Sequence, residues 1–289
     1  MMRRRIPEEP TSRLAIWAQR LALFSLAATF IAVVIVRSGA LDIVPAISTL
    51  AGALALAVVA ILFALAAGVV IWREGAGGVR QAIAALFIGF ALVAYPAFLG
   101  FKAYQLPAIN DVTTDPIDPP RFDVIARLRP RDTNPVAYAG LYAAERQHLA
   151  YPDIQPDLTD ASPQNAYNAA LKVVTRRRWR IVDSRSPQES AAGEGLIEAI
   201  ARTPILGFRD DLLVRVRPTQ DGARIDVRSA SRYGRSDLGT NAARIRALIS
   251  DIDDILSAPQ PEKPEPPEGP RRPPAAKSVQ TGKGGYIRR

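Results

Sequence analysis

The chain of 289 residues contains no cysteine and a single histidine, His148. The absence of cysteine excludes disulfide bonds, iron–sulfur clusters, cysteine-rich zinc sites and thiol catalysis. One histidine cannot build a histidine-rich metal site, and it allows a Ser-His-Asp triad only with His148 as the base. Because His148 lies in a segment of helical composition, we interpret it as an ordinary helix residue and expect neither a metal nor a cofactor.

A carboxylate site for a hard cation has four candidate ligands in one stretch of the chain, Asp111, Asp115, Asp118 and Asp123. These aspartates lack the spacing of a calcium-binding loop. Prolines lie among them, which favours a plain solvated connector over a metal site.

The excess of positive charge is concentrated near the two ends of the chain. There are 37 Lys and Arg residues against 28 Asp and Glu, a net charge of +9, and five of the arginines lie within the first twenty residues. Basic residues beside a membrane span are attracted to anionic lipid headgroups. The charge therefore predicts contact with membrane lipids and not with nucleic acid.

Three long apolar segments occupy the first third of the chain, at residues 14–36, 46–72 and 81–101. Each is long enough to cross about 30 Å of hydrocarbon as a helix. In the second segment, small residues recur at spacings that allow close helix contact, namely Gly52, Ala53, Ala57, Ala60, Ala64 and Gly68. The pattern predicts a three-helix transmembrane region over residues 14–105.

A cleaved signal peptide is the alternative interpretation of the first apolar segment, because the small residues Ser38-Gly39-Ala40 follow it. The segment is longer than the usual apolar core of a signal peptide, and Arg37 follows it directly. These two features favour a retained helix.

The distribution of arginine predicts the orientation of the spans. Arginines are concentrated before the first span and in the second connection, at Arg73 and Arg80, whereas Arg37 alone follows the first span. The positive-inside rule then places residues 1–13 in the cytoplasm. An odd number of spans carries residues 106–258 to the far side, which is the periplasm for a bacterial inner-membrane protein.

Residues 106–258 predict an exported α+β domain. Residues 106–120 are rich in Pro, Asp and Thr and indicate an extended connector, and residues 135–149 have helical composition. A stronger helix begins at the N-cap Ser162, with Pro163 at its first position, and extends to about residue 178. A last helix is predicted over residues 238–256.

Four strand-like segments lie between these two helices, at residues 179–184, 195–203, 211–218 and 223–229. The short links between them favour an antiparallel meander. Apolar residues alternate with charged residues in the last two segments, so one face of the sheet is apolar and is covered by the helices. Beyond residue 258 a Pro-rich basic tail, residues 259–289, has a composition typical of disorder.

The densest polar stretch of the chain lies between the last strand and the last helix, from Arg228 to Ile245. Its arginines lie beside the predicted N-terminus of a helix, a combination that suits a phosphate or carboxylate. The candidate anion-binding residues are Arg228, Ser229, Ser231, Arg232, Arg235, Ser236, Asn241 and Arg244.

The same arginines can instead belong to an internal network. Glu198, Asp210, Asp211 and Asp226 are numerous enough to pair with them, and guanidinium groups bind carboxylates bidentately. Asp237 or Ser236 can cap the last helix, which is an ordinary use of such residues. The sequence leaves both interpretations open.

Several separated motifs follow one another over about residues 108–257. They comprise Thr114-Asp115-Pro116, Pro119-Pro120, Tyr151-Pro152-Asp153, Trp179, Ile197-Glu198-Ala199, Gly207-Phe208-Arg209-Asp210-Asp211, Arg215 and the stretch from Arg228 to Ile245. In this order they resemble the domain-of-unknown-function family 1499 (DUF 1499) in a membrane-anchored bacterial form. The resemblance implies a compact domain found in membrane-linked or exported proteins. It implies no catalytic residue and no settled activity.

Together these features predict a multi-pass inner-membrane protein whose exported domain is a binding or interaction module for an anionic envelope component, such as a lipid headgroup. One alternative is a hydrolase or transferase with Asp210 or Asp211 as general base and the arginines holding an anionic substrate. The other is an assembly scaffold whose spans contact a membrane protein partner.

Overall fold

The computed structural model describes residues 10–258 of the chain. The predictions for the first nine residues, including Arg3, Arg4 and Arg5, and for the Pro-rich tail at residues 259–289 lie outside the described residues.

Three helices long and apolar enough to cross a membrane begin the described part of the chain: α1 (Arg13–Ser38), α2 (Ile43–Glu74) and α3 (Val79–Gln105). They confirm the three predicted apolar helices, each of which extends a few residues beyond the predicted segment. Large apolar side chains such as Phe30, Leu62 and Phe87 are exposed along them, as lipid-facing residues are.

The three helices pack through small residues. On α2, the buried alanines Ala53, Ala57, Ala60, Ala64 and Ala67 recur at alternating intervals of four and three residues. This spacing makes one continuous seam on a helix and lets the backbones approach closely. The prediction of close contact therefore holds for the alanines, whereas Gly52 and Gly68 lie on the exposed side of α2 with open space around them.

The connections lie at opposite ends of the bundle. At one end, the backbone N–H of Ser12 donates to the carbonyl of Gly77 at 2.8 Å, which joins the start of α1 to the α2–α3 connection. At the other end, Arg37 of α1 donates to the carbonyls of Pro204 and Ile205 in the folded domain, at 2.6 and 3.2 Å. The α1–α2 connection and the domain thus share one end of the bundle.

The domain contains one antiparallel sheet of six strands. These are β1 (Asp111–Thr113), β2 (Asp157–Thr159), β3 (Arg180–Arg185), β4 (Gly195–Arg202), β5 (Arg209–Thr219) and β6 (Gly222–Ser231). Strands β3 to β6 form the predicted meander. Both β1 and β2 pair with β6, at Arg228–Ala230 and at Ala223–Ile225 respectively, and together they form the far edge.

The predicted number of four strands is therefore too low by two. β1 and β2 have three residues each, too few for an alternating pattern to emerge from the sequence. The prediction of a plain connector at residues 106–120 is also wrong, because Asp111, Val112 and Thr113 are all buried. At the other short strand, Gly222 permits close pairing: a Cβ atom there would lie 2.1 Å from the carbonyl oxygen of Thr159.

Two apolar cores lie on opposite faces of the sheet. The helices α6 (Pro163–Arg176) and α7 (Thr240–Ser257) cover one face, where residues such as Val173 and Ile245 meet Val214. The side chain of Ser162 accepts the N–H of Asn165 and caps α6, as predicted. On the other face, Phe122 and Ile125, from the segment that contains α4 (Val124–Leu128), pack against Leu213. Consequently both sheet faces are covered, the second one mainly by irregular chain.

A further helix, α5 (Leu141–Ala150), follows that segment. It is shorter than the helical stretch predicted at residues 135–149, because Gly140, with φ of 72°, immediately precedes its first turn. The buried Gln147 joins α5 to β1: its side chain accepts the N–H of Thr113 at 3.0 Å and donates to the carbonyl of the same residue at 2.7 Å.

An acidic pair joins β2 to α7 and makes one contribution to stability dependent on pH. Burial, followed by the charge of Asp157, raises the pKa of Asp253 to about 6 from 3.8, and burial also raises the pKa of Asp157. Because the pKa of Asp253 is higher in the folded protein than in the unfolded chain, protonation stabilises the fold. This contribution is fully present below pH about 4 and is lost as the pH rises through about 6.

We therefore expect Asp253→Asn to stabilise the protein at pH 7.5 and to leave it almost unchanged at pH 4. Because Asp253 is largely exposed, solvent screening limits the gain to about 1 kcal/mol. Thermal melting of the full chain at both pH values tests this, with the exposed Asp221→Asn as the matched control. An equal effect of Asp253→Asn at both pH values would contradict the acidic-pair account.

Candidate functional site

The residues of the stretch from Arg228 to Ile245 separate onto the two faces of the sheet. Successive residues of a strand point to opposite faces, so Arg228 and Ser229 on β6 cannot contribute to the same surface. Arg228 contacts the segment around Phe122, whereas Ser229 contacts α7. The candidate anion-binding residues are therefore not brought together into one site.

Arg228 is buried and fully engaged within the protein. It is 2% exposed, and its Nε and Nη2 atoms bind the two carboxylate oxygens of Asp111 at 3.1 and 2.6 Å. It also donates to the carbonyls of Pro120 and Val136 at 2.9 and 2.8 Å. The guanidinium lies over the ring of Phe122, with 4.8 Å to the centroid. Arg228 thus fastens the irregular segment to the sheet.

The partner of Arg228 lies in the stretch that the sequence indicated as a solvated connector. Burial raises the pKa of Asp111, an effect that Arg228 opposes through its hydrogen bonds and its charge. Tyr138 lies against the same pair, and burial together with the charge of Asp111 raises its pKa to about 12. No motif marked Asp111 as the partner, because a single aspartate among prolines has the composition of a loop.

Asp211 lies between two buried arginines. Its Oδ1 accepts hydrogen bonds from Nε and Nη2 of Arg232 at 2.9 and 2.7 Å, and its Oδ2 accepts a hydrogen bond from Nε of Arg129 at 2.5 Å. The side chains of Arg129 and Arg232 are each 2% exposed, and that of Asp211 is 0% exposed. The three residues form an ion triad between β5, the end of β6 and the segment after α4.

A second network lies on the helix-covered face. Arg244 of α7 binds Oδ2 of Asp210 at 2.5 Å and also donates to Ser229 and to Asn241. Asn241 in turn donates to the hydroxyl of Ser231 at 3.0 Å. These five side chains satisfy one another and join the first turn of α7 to the sheet.

Asp237 caps α7. Its carboxylate accepts the backbone N–H groups of Gly239 and Asn241 at 3.0 and 2.6 Å. Burial raises the pKa of Asp237, and these backbone hydrogen bonds oppose that effect. The neighbouring Ser236 accepts the N–H of Leu238 at 3.2 Å, whereas Arg235 is exposed. The N-terminus of α7 is thus occupied by a side chain of the protein itself.

The remaining predicted carboxylates have other partners. Glu198 has no arginine partner in the part of the chain that the structure describes; it accepts the backbone N–H groups of Asp123, Val124 and Ile125 and so holds the start of α4. Asp226 belongs to a separate cluster on β5 and β6. That cluster comprises Arg215, Arg217, Arg224, Asp115, Asp118 and Asp226, joined by ion pairs of 2.6 to 3.2 Å.

The arginine-rich cluster also corrects the prediction that Asp115 is solvated, because Asp115 is buried, whereas Asp118 is exposed as predicted. Burial raises the pKa of Asp115, but the N–H of Asp118 and the guanidinium groups of Arg224, Arg215 and Arg217 lower it below its usual value overall. The aspartates of the connector therefore neutralise β-strand arginines. Within residues 10–258, no three His, Asp or Glu side chains come together in a group suited to a metal ion.

These contacts determine whether the buried carboxylates can act as general bases. Asp210 and Asp211, the candidate general bases, both have oxygens occupied by guanidinium groups. A base must have a lone pair free to accept a proton from a substrate. His148, on α5, is exposed. The described residues thus support a structural role for the predicted carboxylates.

A different cavity, of about 220 Å³, lies where the α1–α2 connection meets the domain. We call it the junction cavity. Its charged lining residues are Arg37 and Asp42 from the membrane end, Arg202 and Arg209 from the facing ends of β4 and β5, Asp132, and Arg232, whose charge is neutralised by Asp211. Gly207, with φ of 70°, lets the β4–β5 loop approach Arg37: a Cβ atom there would lie 3.1 Å from Cγ of Arg37.

The charges of the junction cavity are not paired with one another. Within residues 10–258, Arg37, Arg202 and Arg209 have no carboxylate within 4.0 Å, and neither Asp42 nor Asp132 has a basic partner at that distance. Tyr233 lies among them: burial raises its pKa, as do the charges of Asp132 and Asp42, while those of Arg232 and Arg209 lower it. No sequence motif indicates this cavity, because its residues come from four separate parts of the chain.

Comparison with known protein families agrees with the resemblance noted in the sequence. No curated protein matches the chain. Residues 111–252 match the family described as Protein of unknown function (DUF1499), and this part of the chain belongs to that family.

Proposed function

We propose that this protein is a membrane-anchored, non-catalytic binding module of the bacterial inner membrane. Its domain lies on the periplasmic side and binds a component of the envelope through that component's anionic phosphate group. The three apolar helices support the anchoring, and the arginine distribution described above supports the orientation.

The saturation of the buried charges argues against both an anion site and a general base among them. Arg228, Arg232 and Arg244 each bind a carboxylate of the protein at 2.5 to 2.7 Å. An anionic ligand would have to displace those carboxylates from a buried site, which leaves a buried charge without a partner. We therefore place the ligand elsewhere than in the stretch first singled out in the sequence.

The observation that carries the proposal is the pair Arg202 and Arg209. These residues are exposed and directly opposite each other on β4 and β5, and within residues 10–258 neither has a carboxylate partner. Like charges directly opposite on a sheet destabilise it. Such a pair is accounted for by a bound anion, which neutralises both guanidinium groups and replaces their repulsion with charge-assisted hydrogen bonds.

The position of the pair favours a component of the membrane surface. The β4–β5 loop next to Arg202 and Arg209 accepts hydrogen bonds from Arg37, the second-last residue of α1. Helix ends that flank a span lie at the level of the lipid headgroups. A phosphate at that level lies within reach of both arginines without leaving the membrane.

The test is thermal melting of the full chain in a neutral detergent, with inorganic phosphate, a phosphosugar, short-chain phospholipids and diacylglycerol added separately. We expect the phospholipids to raise the melting temperature in proportion to the logarithm of their concentration and diacylglycerol to have no effect. The double variant Arg202→Ala, Arg209→Ala should weaken the apparent affinity by about tenfold or more, since it removes two charge-assisted contacts.

The matched control is Arg235→Ala, which removes another exposed arginine from the same domain and should leave the response unchanged. A response to inorganic phosphate as large as that to phospholipid would assign the site to a free phosphate compound. No response to any ligand would contradict the proposal, and a membrane protein retained in fixed ratio would then favour the assembly scaffold.

A further inference from the structure

The junction cavity brings together charges of both signs that have no ion-pair partner within residues 10–258. Elsewhere the buried aspartates are bound by arginines or backbone N–H groups, as Asp211 and Asp237 are. Around this cavity, Arg202 and Arg209 carry positive charge and Asp42 and Asp132 carry negative charge. A simple anion would satisfy only the arginines and would be repelled by the two carboxylates.

We infer that the junction cavity binds a phospholipid headgroup that carries an ammonium group next to its phosphate diester. This inference rests on the proposed function and specifies the class of its ligand. The phosphate binds the guanidinium groups of Arg202 and Arg209, and the ammonium group binds the carboxylates of Asp42 and Asp132. Each of the four side chains thereby gains a partner of opposite charge.

The arrangement of the lining residues supports a lipid over a soluble zwitterion. Asp42 is the residue before α2, and Val36 and Ala46, from the adjacent ends of α1 and α2, line the same cavity. Apolar side chains such as Leu41 and Val44 are exposed beside them, 46% and 72% respectively. A headgroup in the cavity therefore leaves its acyl chains next to the apolar surfaces of the spans.

Arg37 connects the ligand site to the domain. Its Nη1 atom donates to the carbonyls of Pro204 and Ile205, which uses one of the three guanidinium nitrogens. A guanidinium carries five N–H donors, so the others remain available toward the cavity that Arg37 lines. The same residue can hold the β4–β5 loop and bind a phosphate oxygen.

The experiment uses the full chain in neutral detergent and compares two probes, dihexanoyl phosphatidylethanolamine and dihexanoyl phosphatidylglycerol. Both contain the phosphate diester, but only the first carries the ammonium. Apparent affinities are taken from the concentration dependence of the melting temperature. The variants are the pair Arg202→Ala, Arg209→Ala and the pair Asp42→Asn, Asp132→Asn, with Arg235→Ala and Asp221→Asn as controls for each charge.

We expect the wild-type protein to prefer phosphatidylethanolamine. The aspartate pair should weaken phosphatidylethanolamine binding about fivefold, the scale of one exposed ion pair, and should leave phosphatidylglycerol binding equal or stronger. The arginine pair should weaken both lipids. The four side chains are exposed, so the melting temperatures without lipid serve as the check that each variant folds.

The two proposals fail in different ways. Binding of phosphatidylglycerol as tight as that of phosphatidylethanolamine, unaffected by the aspartate pair, would overturn the inference and leave an anion site. Binding of both lipids that survives the arginine pair would overturn the assignment to the junction cavity. No binding of either lipid by the wild-type protein would overturn the proposed function itself.

Discussion

Asp211→Ala is expected to lower the free energy of unfolding of the domain by about 3 to 5 kcal/mol, the usual cost of removing one partner from a buried ion pair. The carboxylate neutralises both Arg129 and Arg232, whose side chains are each 2% exposed. The substitution leaves two guanidinium ions close together in a buried site. Their repulsion adds to the loss of the hydrogen bonds.

The measurement is urea denaturation of the full chain in detergent, followed by the fluorescence of Trp179. The chain has three tryptophans, and Trp17 and Trp72 lie in α1 and α2. A background of Trp17→Phe and Trp72→Phe makes the signal specific to the domain. Asp221→Ala, in the exposed β5–β6 turn, is the matched control and should change the stability by less than about 0.5 kcal/mol. If Asp211→Ala lowered the stability by as little as this control does, the two arginines would not depend on the carboxylate of Asp211.

Arg228→Met is expected to cost about 3 to 5 kcal/mol as well, and its cost should depend on pH. Methionine keeps much of the side-chain volume but leaves Asp111 buried without its cation. Burial already raises the pKa of Asp111, and removing Arg228 raises it further. A group with a raised folded-state pKa stabilises the fold below its unfolded pKa of about 3.8 and loses that contribution as pH rises. The penalty should therefore be smaller at pH 4.5 than at pH 7.5.

A double variant isolates the pairing from general disruption. Arg228→Met with Asp111→Leu removes both charges, and replacement of a buried ion pair by apolar residues is far less costly than the removal of one partner. We expect the double variant to be more stable than Arg228→Met alone at pH 7.5. If the two single effects simply add, and the cost of Arg228→Met is independent of pH, Asp111 is not the partner that matters.

The elements with strong local signals were predictable from the sequence. The three spans follow from uninterrupted apolar composition, and α6 follows from Ser162 and Pro163 at its start. The meander from β3 to β6 follows from alternating residues and short links. In each case the information lies within one segment, so no knowledge of distant contacts is required.

The edge formed by β1 and β2 was not predictable, because it depends on distant partners. Asp111–Thr113 becomes a strand only by pairing with Arg228–Ala230, more than a hundred residues later. The prolines that follow it indicated a connector, and they do form irregular chain. That irregular chain covers the second face of the sheet because Arg228 and Arg215 bind its carbonyls and carboxylates.

The candidate site shows the same limit. The sequence identified the richest cluster of arginines, from Arg228 to Arg244. It could not show that Asp111 pairs with Arg228, or that Arg129 shares Asp211 with Arg232. Conversely, Arg202 and Arg209 form no motif, since each is one exposed residue at a strand end. Their significance comes from their being opposite each other and beside the end of α1.

The most direct test measures stability and lipid binding on the same three proteins. Wild type, Arg228→Met and the double variant Arg202→Ala, Arg209→Ala are melted with and without dihexanoyl phosphatidylethanolamine. Arg228 does not line the junction cavity, so we expect Arg228→Met to melt at a lower temperature yet keep the lipid-induced shift. The arginine pair should keep its melting temperature and lose the shift. The reverse pattern, with lipid binding lost in Arg228→Met and retained in the arginine pair, would overturn this assignment and return the ligand to the stretch from Arg228 to Ile245.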